Sequence, residues 1–539
     1  MSNRFNSKYL IPIILAVGIV LGILIGNFYG SSFSGRGLSI INASSSKITD
    51  LMHLIDEEYV DKVDIDSLVE RSLPNILHEL DPHSTYASAE DVESEMQDLE
   101  GHFSGIGIQF YIYRDTVNVV KVIPGGPSEG CGIKAGDRIV KVDGKDFTGK
   151  NVDNDKAQKS LKGAKGSTVK LSILRPSARD RKLHDYIVTR GDVPVKSIEG
   201  VYMLDKQTGY IRVRSFGVTT YNEFLGALAE LDSQGFSRLV IDLRGNLGGY
   251  MDTAIMMANE FLPKGSLIVY TEGRHSPRSE YKSDGQGSYQ RMPLTVLVDE
   301  YSASASEIFS GAMQDNDRAQ IIGRRTFGKG LVQKPVNFRD GSLVRLTIAR
   351  YYTPSGRCVQ KPYQMGDPED AYERDLLNRE MAGELFSADS IKTNGKVYKT
   401  VGGRKVYGGG GIIPDIFVPL DTLGYTPYIK EAFMRGLVPE FAYNYLDTHR
   451  AGLTAQKDLA QYLMRASLPE AFENYAAQHG LPRRGALTAA ARNFLRRYLV
   501  RYLVSDVQGE AEAVKYYNTD DPYLREAMKS FLTSPPKKK

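Results

Sequence analysis

Ser304 stands in the segment YSASASEIFSGAMQD, Tyr301 to Asp315, and Lys329 stands between two glycines in TFGKGLVQ, Thr326 to Gln333. The apolar run Leu294 to Val298 predicts a strand, the small residues after it a tight turn, and the residues from Ser306 or Glu307 a helix. A serine in such a turn is exposed, and the N–H groups that open the helix have no partner within it. A hydroxyl beside free N–H groups suits a nucleophile next to an oxyanion hole. The glycines around Lys329 let its backbone pass close to another segment. A lysine amine can activate a serine hydroxyl without histidine. The chemistry available to this pair is acyl transfer, which points to a peptidase. Each part also has a plainer reading, because small-residue turns follow many strands and a lysine between glycines is ordinarily a solvated loop residue.

SASASE, then QD, then RTFGKGLVQ at this spacing resembles the signature of the C-terminal processing peptidases, also called tail-specific proteases. The resemblance runs from about Leu51 to Leu420. It implies Ser304 as the nucleophile, Lys329 as the general base, and Gln333 as the residue that holds the lysine in place. DLRGNLGGY, Asp242 to Tyr250, follows the buried-strand run RLVIDLRGN and leads into an apolar helix from Met251. Glycines at a strand-to-helix turn bring free N–H groups close to an anion or oxyanion. On the family pattern this loop, through Gly248 or Gly249, and the amide of Ala305 form the oxyanion hole. A phosphate-binding loop is the alternative, but no GKS or GKT follows and the GxGxxG spacing is absent. RYYTPSGR, Arg350 to Arg357, and GGGGIIPDIFVP, Gly408 to Pro419, match core elements of the same peptidases. The implied fold is an α/β core like that of the crotonase and Clp protease relatives. A lysine acting as base must be neutral, although its ordinary pKa is about 10.4. Burial can lower it by up to about 5 units, and Phe327 and Val332 are candidates for the apolar lining.

Upstream, GIGIQF, then GGPSEGCGIKAGDRIVKVDG, a short helix around Asp155 to Leu161 and the strand VKLSILR resemble a PDZ domain. In that family the loop before Ile106 to Ile108 offers backbone N–H groups to the terminal carboxylate of a peptide. The peptide then adds as a strand beside Ile106, Gly107 and Ile108. Gly105 and Gly107 also have a plainer use in turns and strand packing. Implied partners are proteins or peptides with free C-terminal tails. No cofactor or metal is implied.

The elements that must position these residues divide the chain into five parts. Residues 1–30 are a cytoplasmic stub and membrane anchor, and residues 31–97 a Ser/Gly-rich linker followed by two or three helices. The PDZ domain spans residues 98–192, and the peptidase core of alternating strands and helices spans residues 193–426. A helical domain fills residues 427–539. Within the core, the charged stretch Asp367 to Lys399 predicts an inserted surface hairpin or loop. The last domain has no readable motif and is compatible with packing, gating, dimerisation or adaptor docking.

Of 539 residues 41% are hydrophobic and 25% charged, enough for a substantial core, and the net charge of +3 argues against a nucleic-acid partner. The apolar run centred on Leu10 to Gly26 follows Arg4 and Lys8. About twenty residues, Leu10 to Tyr29, suffice to span a lipid bilayer, with the basic end in the cytoplasm. A cleaved signal peptide is the rival reading. Both put the rest of the chain outside the cytoplasm, and the anchor puts it on the periplasmic side of a bacterial inner membrane. Cys131 and Cys358 fall in different domains, so two free thiols are expected. Between Val193 and Pro427 the only histidine is His275, the one core candidate for a Ser–His alternative. A membrane-anchored PDZ scaffold with an inactive core would have lost a member of Ser304, Lys329 and Gln333, yet all three stand.

Overall fold

The computed structural model describes residues 43–92, 100–176, 182–367, 372, 374–393, 395–483 and 485–533. The expected anchor, residues 10–29, lies outside them. Among the described residues no helix is long and apolar enough to cross a membrane. The chain falls into two compact units, Met1–Ile76 and Leu77–Lys539.

In the first unit, helix α1 (Ala43–Glu58) and most of α2 (Ile65–His78) account for the helical periodicity read there. Ile48, Leu51 and Leu54 of α1 are exposed. In the second unit, the LDPHSTY turn leads into strand β1 (Thr85–Ala87).

The PDZ-like module opens with β2 (His102–Gly105), which pairs with its closing strand β9 (Gly191–Pro194). Between them run β3 (Ile108–Tyr113), β4 (Thr116–Val122), α3 (Pro127–Cys131), β5 (Arg138–Val142), β6 (Lys145–Asp146), α4 (Asn154–Leu161), β7 (Thr168–Leu174) and β8 (Leu183–Thr189). The sheet order is β3-β4-β5-β7-β8, which leaves β3 at an edge. Val117, Val119, Ile139, Leu171 and Ile173 fill the module's core.

The peptidase-like region is built on a second sheet. Its strands are β10 (Ile198–Met203), β11 (Thr208–Val213), β12 (Arg238–Asp242), β15 (Leu294–Val298), β16 (Gln320–Gly323) and β21 (Ile416–Phe417), in that order. All neighbours are parallel except β10 and β11. Helices α5 (Thr220–Ser233), α6 (Met251–Asn259) and α7 (Ala305–Asp315) are the crossovers. A third, antiparallel sheet joins β1 to β18 (Leu343–Tyr352), and β18 to both β17 (Leu331–Asn337) and the hairpin of β13 (Leu267–Gly273) and β14 (Ser276–Lys282). The stretch Asp367 to Lys399 is more than a surface loop: it carries α8 (Asp375–Met381), with the short strands β19 (Val397–Lys399) and β20 (Lys405–Tyr407) pairing at its end.

A parallel sheet must be covered on both faces. Ile211, Ile241, Val296 and Ile321 pack on one side with Phe224, Met257, Phe309 and Met313 of the crossover helices. Their neighbours Tyr210, Val240, Leu297 and Ile322 point the other way, onto Val514, Tyr523, Leu524 and Ala527. Those residues belong to the end of the chain, α14 (Glu510–Tyr517) and α15 (Pro522–Thr533). The helices before them are α9 (Pro427–Met434), α10 (Leu437–Thr454), α11 (Leu459–Arg465), α12 (Leu468–Gln478) and α13 (Ala489–Gln508). They share a core of their own around Leu446, Phe472, Leu495 and Leu499. The C-terminal helices therefore supply the second cover of the central sheet. Helix α10 also touches the PDZ-like module. The Tyr443 ring lies 5.6 Å from that of Tyr111 and 5.8 Å from that of Tyr113, and Arg138 pairs with Asp447 at 3.0 Å.

Candidate active site

Ser304 is the N-cap of α7, and the helix starts at Ala305, just before the expected position. Its backbone lies at φ 54°, ψ −112°. A left-handed φ on a residue with a Cβ costs about 1–3 kcal/mol and persists only where the surroundings dictate it. The chief constraint is Glu307, which has no exposed surface. Its Oε2 accepts from the N–H of Ser304 at 2.9 Å and from the N–H of Lys329 at 2.8 Å. Its Oε1 accepts from the Thr326 hydroxyl at 2.5 Å and the Gly328 N–H at 2.8 Å. Burial pushes the Glu307 carboxyl up to about 7, against the pull of these donors. The buried Tyr351 hydroxyl faces the carbonyls of the same two residues, donating to Ser304 O at 3.1 Å and to Lys329 O. One carboxylate thus gathers the N–H groups of the serine and lysine loops, and one phenol gathers their carbonyls.

Lys329 itself is half-buried. Burial lowers its pKa and the Arg345 cation lowers it further, while Glu307 and Asp81 pull the other way. Among the described residues nothing forms a hydrogen bond or ion pair with its ammonium. The apolar lining expected from Phe327 and Val332 is mixed. Val332 packs on the main core, but the Phe327 ring is overlaid by the Lys361 ammonium at 4.1 Å.

Gln333 departs from its expected role. Its Nε2 donates to the carbonyl of His83, and no hydrogen bond joins it to Lys329. The reason is the LDPHSTY turn, which packs beside the site. There Asp81 accepts from the N–H groups of His83 and Ser84, each at 2.9 Å, and from the Thr347 hydroxyl of β18 at 3.1 Å. His83 Nε2 lies 2.8 Å from the Tyr372 hydroxyl. Burial, followed by the Lys329 cation, lowers its imidazole to about 3. The histidine near the lysine is therefore His83, held neutral, whereas His275 is exposed in the turn between β13 and β14.

The glycine loop lies against the serine. The N–H of Gly248 is already taken by Asn246 Oδ1 at 2.8 Å, so Gly248 is not a free donor. A Cβ on Gly248 would come within 2.7 Å of Ser304 Cβ and 2.8 Å of Ala303 O, so the position admits only glycine. No acceptor among the described residues takes the N–H of Gly249 or of Ala305. The two loops are tied by Ala303 N to Asn246 O and by the Ser306 hydroxyl to the same carbonyl, each at 3.0 Å.

Glu307 and Tyr351 escaped the sequence reading. Glu307 had a signal, since Ser304-x-x-Glu307 is the capping-box pattern at the start of a helix. Tyr351 had none. Buried Arg379 and Glu384, from the stretch expected at the surface, brace the lysine loop as well. Glu384 pairs with Arg325 and Arg379 at 2.7 Å, and Arg379 donates to Arg325 O at 2.6 Å and Thr326 O at 3.2 Å.

The sequence pattern of Peptidase family S41 matches residues 207–367, and that of a PDZ domain matches residues 104–189. The carboxy-terminal processing protease CtpA of Bacillus subtilis (strain 168) is 33% identical over 363 residues, covering 67% of this chain and 76% of that protein. The chain belongs to peptidase family S41. A probable CtpA-like serine protease of Staphylococcus haemolyticus (strain JCSC1435) is 31% identical over 430 residues, 79% of this chain and 82% of its own length. Among solved structures, a photosystem II D1 C-terminal processing protease is 25% identical, with a TM-score of 0.36, covering 71% of this chain and 95% of that one.

This S41 serine peptidase thus carries a PDZ domain. In it Gly105 closes β2 and Ile108 opens β3, while Ile106 and Gly107 form the loop between, not part of the strand as expected. Ile106 is turned into the module's core, and its carbonyl accepts from Ser128 N at 2.9 Å. Gly107, at φ 75°, accepts from Ile123 N at 3.0 Å. The N–H groups of Ile106 and Gly107 have no acceptor among the described residues. Cys131 and Cys358 are free thiols.

Proposed function

We propose that this peptidase cleaves proteins near their C-terminus with Ser304 as nucleophile and Lys329 as general base. The neutral lysine amine takes the Ser304 proton as Oγ attacks the scissile carbonyl, and the oxyanion is met by the N–H groups of Gly249 and Ala305. The lysine then returns its proton to the departing amine. Water, deprotonated by the same lysine, breaks the acyl-enzyme and releases the new C-terminus. The observation that carries this assignment is the Glu307 carboxylate, whose Oε2 accepts from both the Ser304 and the Lys329 N–H. A shared acceptor fixes the two backbones against each other, and burial of the lysine favours the neutral amine.

Tails are held by the PDZ module, with a carboxylate on the loop Gly105 to Ile108 and the peptide beside the open edge of β3. Support comes from the unpaired N–H groups there and from the edge position of β3. Residues 10–29 anchor the chain in the bacterial inner membrane, with the catalytic part outside the cytoplasm.

Digestion of an unstructured protein by the purified chain, wild type beside Ser304→Ala, Lys329→Ala and His275→Ala, tests the chemistry. The first two variants should be inactive while folded, and the third should keep most of its activity. A folded His275→Ala enzyme as inactive as Ser304→Ala would refute the Ser–Lys dyad. Cutting a free tail no faster than an amidated one would refute tail recognition.

A further inference from the structure

Arg244, Glu300 and Arg324 lie at the roots of the glycine, serine and lysine loops, and all three lead to α15 at the end of the chain. The Arg244 guanidinium forks onto Asp242, with contacts of 2.6 to 3.1 Å, and sends Nη1 to Asp521 Oδ2 at 2.7 Å. Asp521 uses its other oxygen to accept from Tyr523 N at 2.8 Å, capping the helix it precedes. Arg324 pairs with buried Glu300 through Nε at 2.6 Å and Nη2 at 3.1 Å, and its Nη1 donates to the Tyr523 hydroxyl. The Tyr523 ring also lies within 4.5 Å of the Arg244 guanidinium carbon and 5.5 Å of that of Arg324. One tyrosine is thereby flanked by two arginines from different loops.

The strands carry this arrangement straight to the site. The residue after Arg244, Gly245, donates to Asp299 Oδ1 at 3.0 Å, and the same oxygen accepts from Tyr301 N and Ser302 N, each at 3.1 Å. The Ser302 hydroxyl returns to Leu243 O at 2.8 Å. Ser304 follows two residues later. We infer that Asp521 and Tyr523 are positioning residues for the peptidase: from the C-terminal helices, they fix the roots of the three loops that hold Gly249, Ser304 and Lys329. This rests on the assignment of those residues above. The packing of α15 does not depend on these polar contacts, because Leu524 and Ala527 bury themselves on Val240, Leu297 and Ile322. An open cleft of about 620 Å³, lined by Gly245, Glu300, Tyr301, Phe494 and Tyr498, adjoins them.

The test compares full-length wild type with Asp521→Asn, Tyr523→Phe, and Leu532→Ala as a control on the exposed side of α15. Cleavage of an unstructured peptide is followed alongside thermal melting and amide hydrogen exchange. Asp521→Asn and Tyr523→Phe should lower kcat by roughly ten- to a hundredfold, the size expected of a small misplacement in a catalytic site. KM should stay within about twofold, since no substrate contact is lost. Exchange should quicken in residues 245–250 and 299–304 while the strands of the sheet stay protected. Leu532→Ala should match wild type. Unchanged kcat and loop exchange in both variants would overturn the proposal, as would a kcat loss explained by global unfolding. Failure of the dyad itself would show differently, as cleavage that survives in Ser304→Ala.

Discussion

Around Ser304 the charged groups are buried and, Lys329 apart, held by a counter-ion or by hydrogen-bond donors, whereas in the PDZ module they mostly stand in water. The first group includes Glu307, Arg357 with Asp315 at 2.5 Å, Arg324 with Glu300, and Arg325 with Glu384, all nearly inaccessible. In the PDZ module the pairs Lys165–Asp192 and Lys170–Asp185 are about half exposed or more, while Asp137 with Arg175 is sheltered. That module rests instead on an apolar core. Buried ion pairs are poor sources of net stability, because desolvation offsets their attraction. They are, however, intolerant of losing a partner and exact in direction. The peptidase region uses such pairs to brace the loops beside the serine, and the buried Glu307 carboxylate to hold the unfavourable backbone of Ser304 itself.

Removing a buried partner is the most severe way to break this contrast. Glu307→Ala leaves four donors without an acceptor, each costing about 1–3 kcal/mol when buried. It should abolish cleavage and lower the melting temperature sharply. Glu307→Gln keeps the volume but turns an NH₂ toward donors, and should retain only residual activity with a smaller loss of stability. Next in size, Arg357→Met strands Asp315 at the end of α7, and the loss of one buried partner costs about 3–5 kcal/mol. Denaturant unfolding should show this, with activity of the remaining folded fraction less affected than in Glu307→Ala. Gly248→Ala should come third in stability but near the top in activity. Its Cβ has no room beside Ser304 and its φ of 105° suits glycine, so cleavage should be lost from a protein that still folds. Smallest of all, Lys170→Ala removes an exposed PDZ pair and should leave both melting and cleavage unchanged.

How much of this could be read from the chain depends on range. The strand Leu294 to Val298 was legible because a short run, apolar but for Thr295, between turn signals marks a strand buried on both faces. The turn at Ser304 and the glycine loop were legible for the same local reason. Glu307 lay within the readable pattern, but a capping glutamate looks no different from one that also collects Gly328, Lys329 and Thr326. The rest is a matter of distance along the chain. Nothing near His83 announces that its carbonyl receives Gln333, and nothing in α15 announces that Tyr523 meets Arg244 and Arg324. Helical periodicity in residues 427–533 told that helices form there, but not that two of them complete the central sheet. Tyr210 and Ile211, or Val240 and Ile241, are all buried on opposite faces of the sheet and so need two covers. The supplier of the second lay some three hundred residues downstream.

The central claim, that a lysine whose pKa is lowered by burial serves as the base, is tested most directly by the pH dependence of kcat/KM. The base works without its proton, so the rate should rise with pH as Lys329 deprotonates, with an apparent pKa below the ordinary lysine value of about 10.4. Below about 7 a further loss should appear as Glu307 takes up a proton and accepts more weakly from the Ser304 and Lys329 N–H groups. In Glu307→Gln that lower limb should vanish from the residual rate while the lysine limb remains. A wild-type profile flat from mildly acidic to alkaline pH would contradict the account.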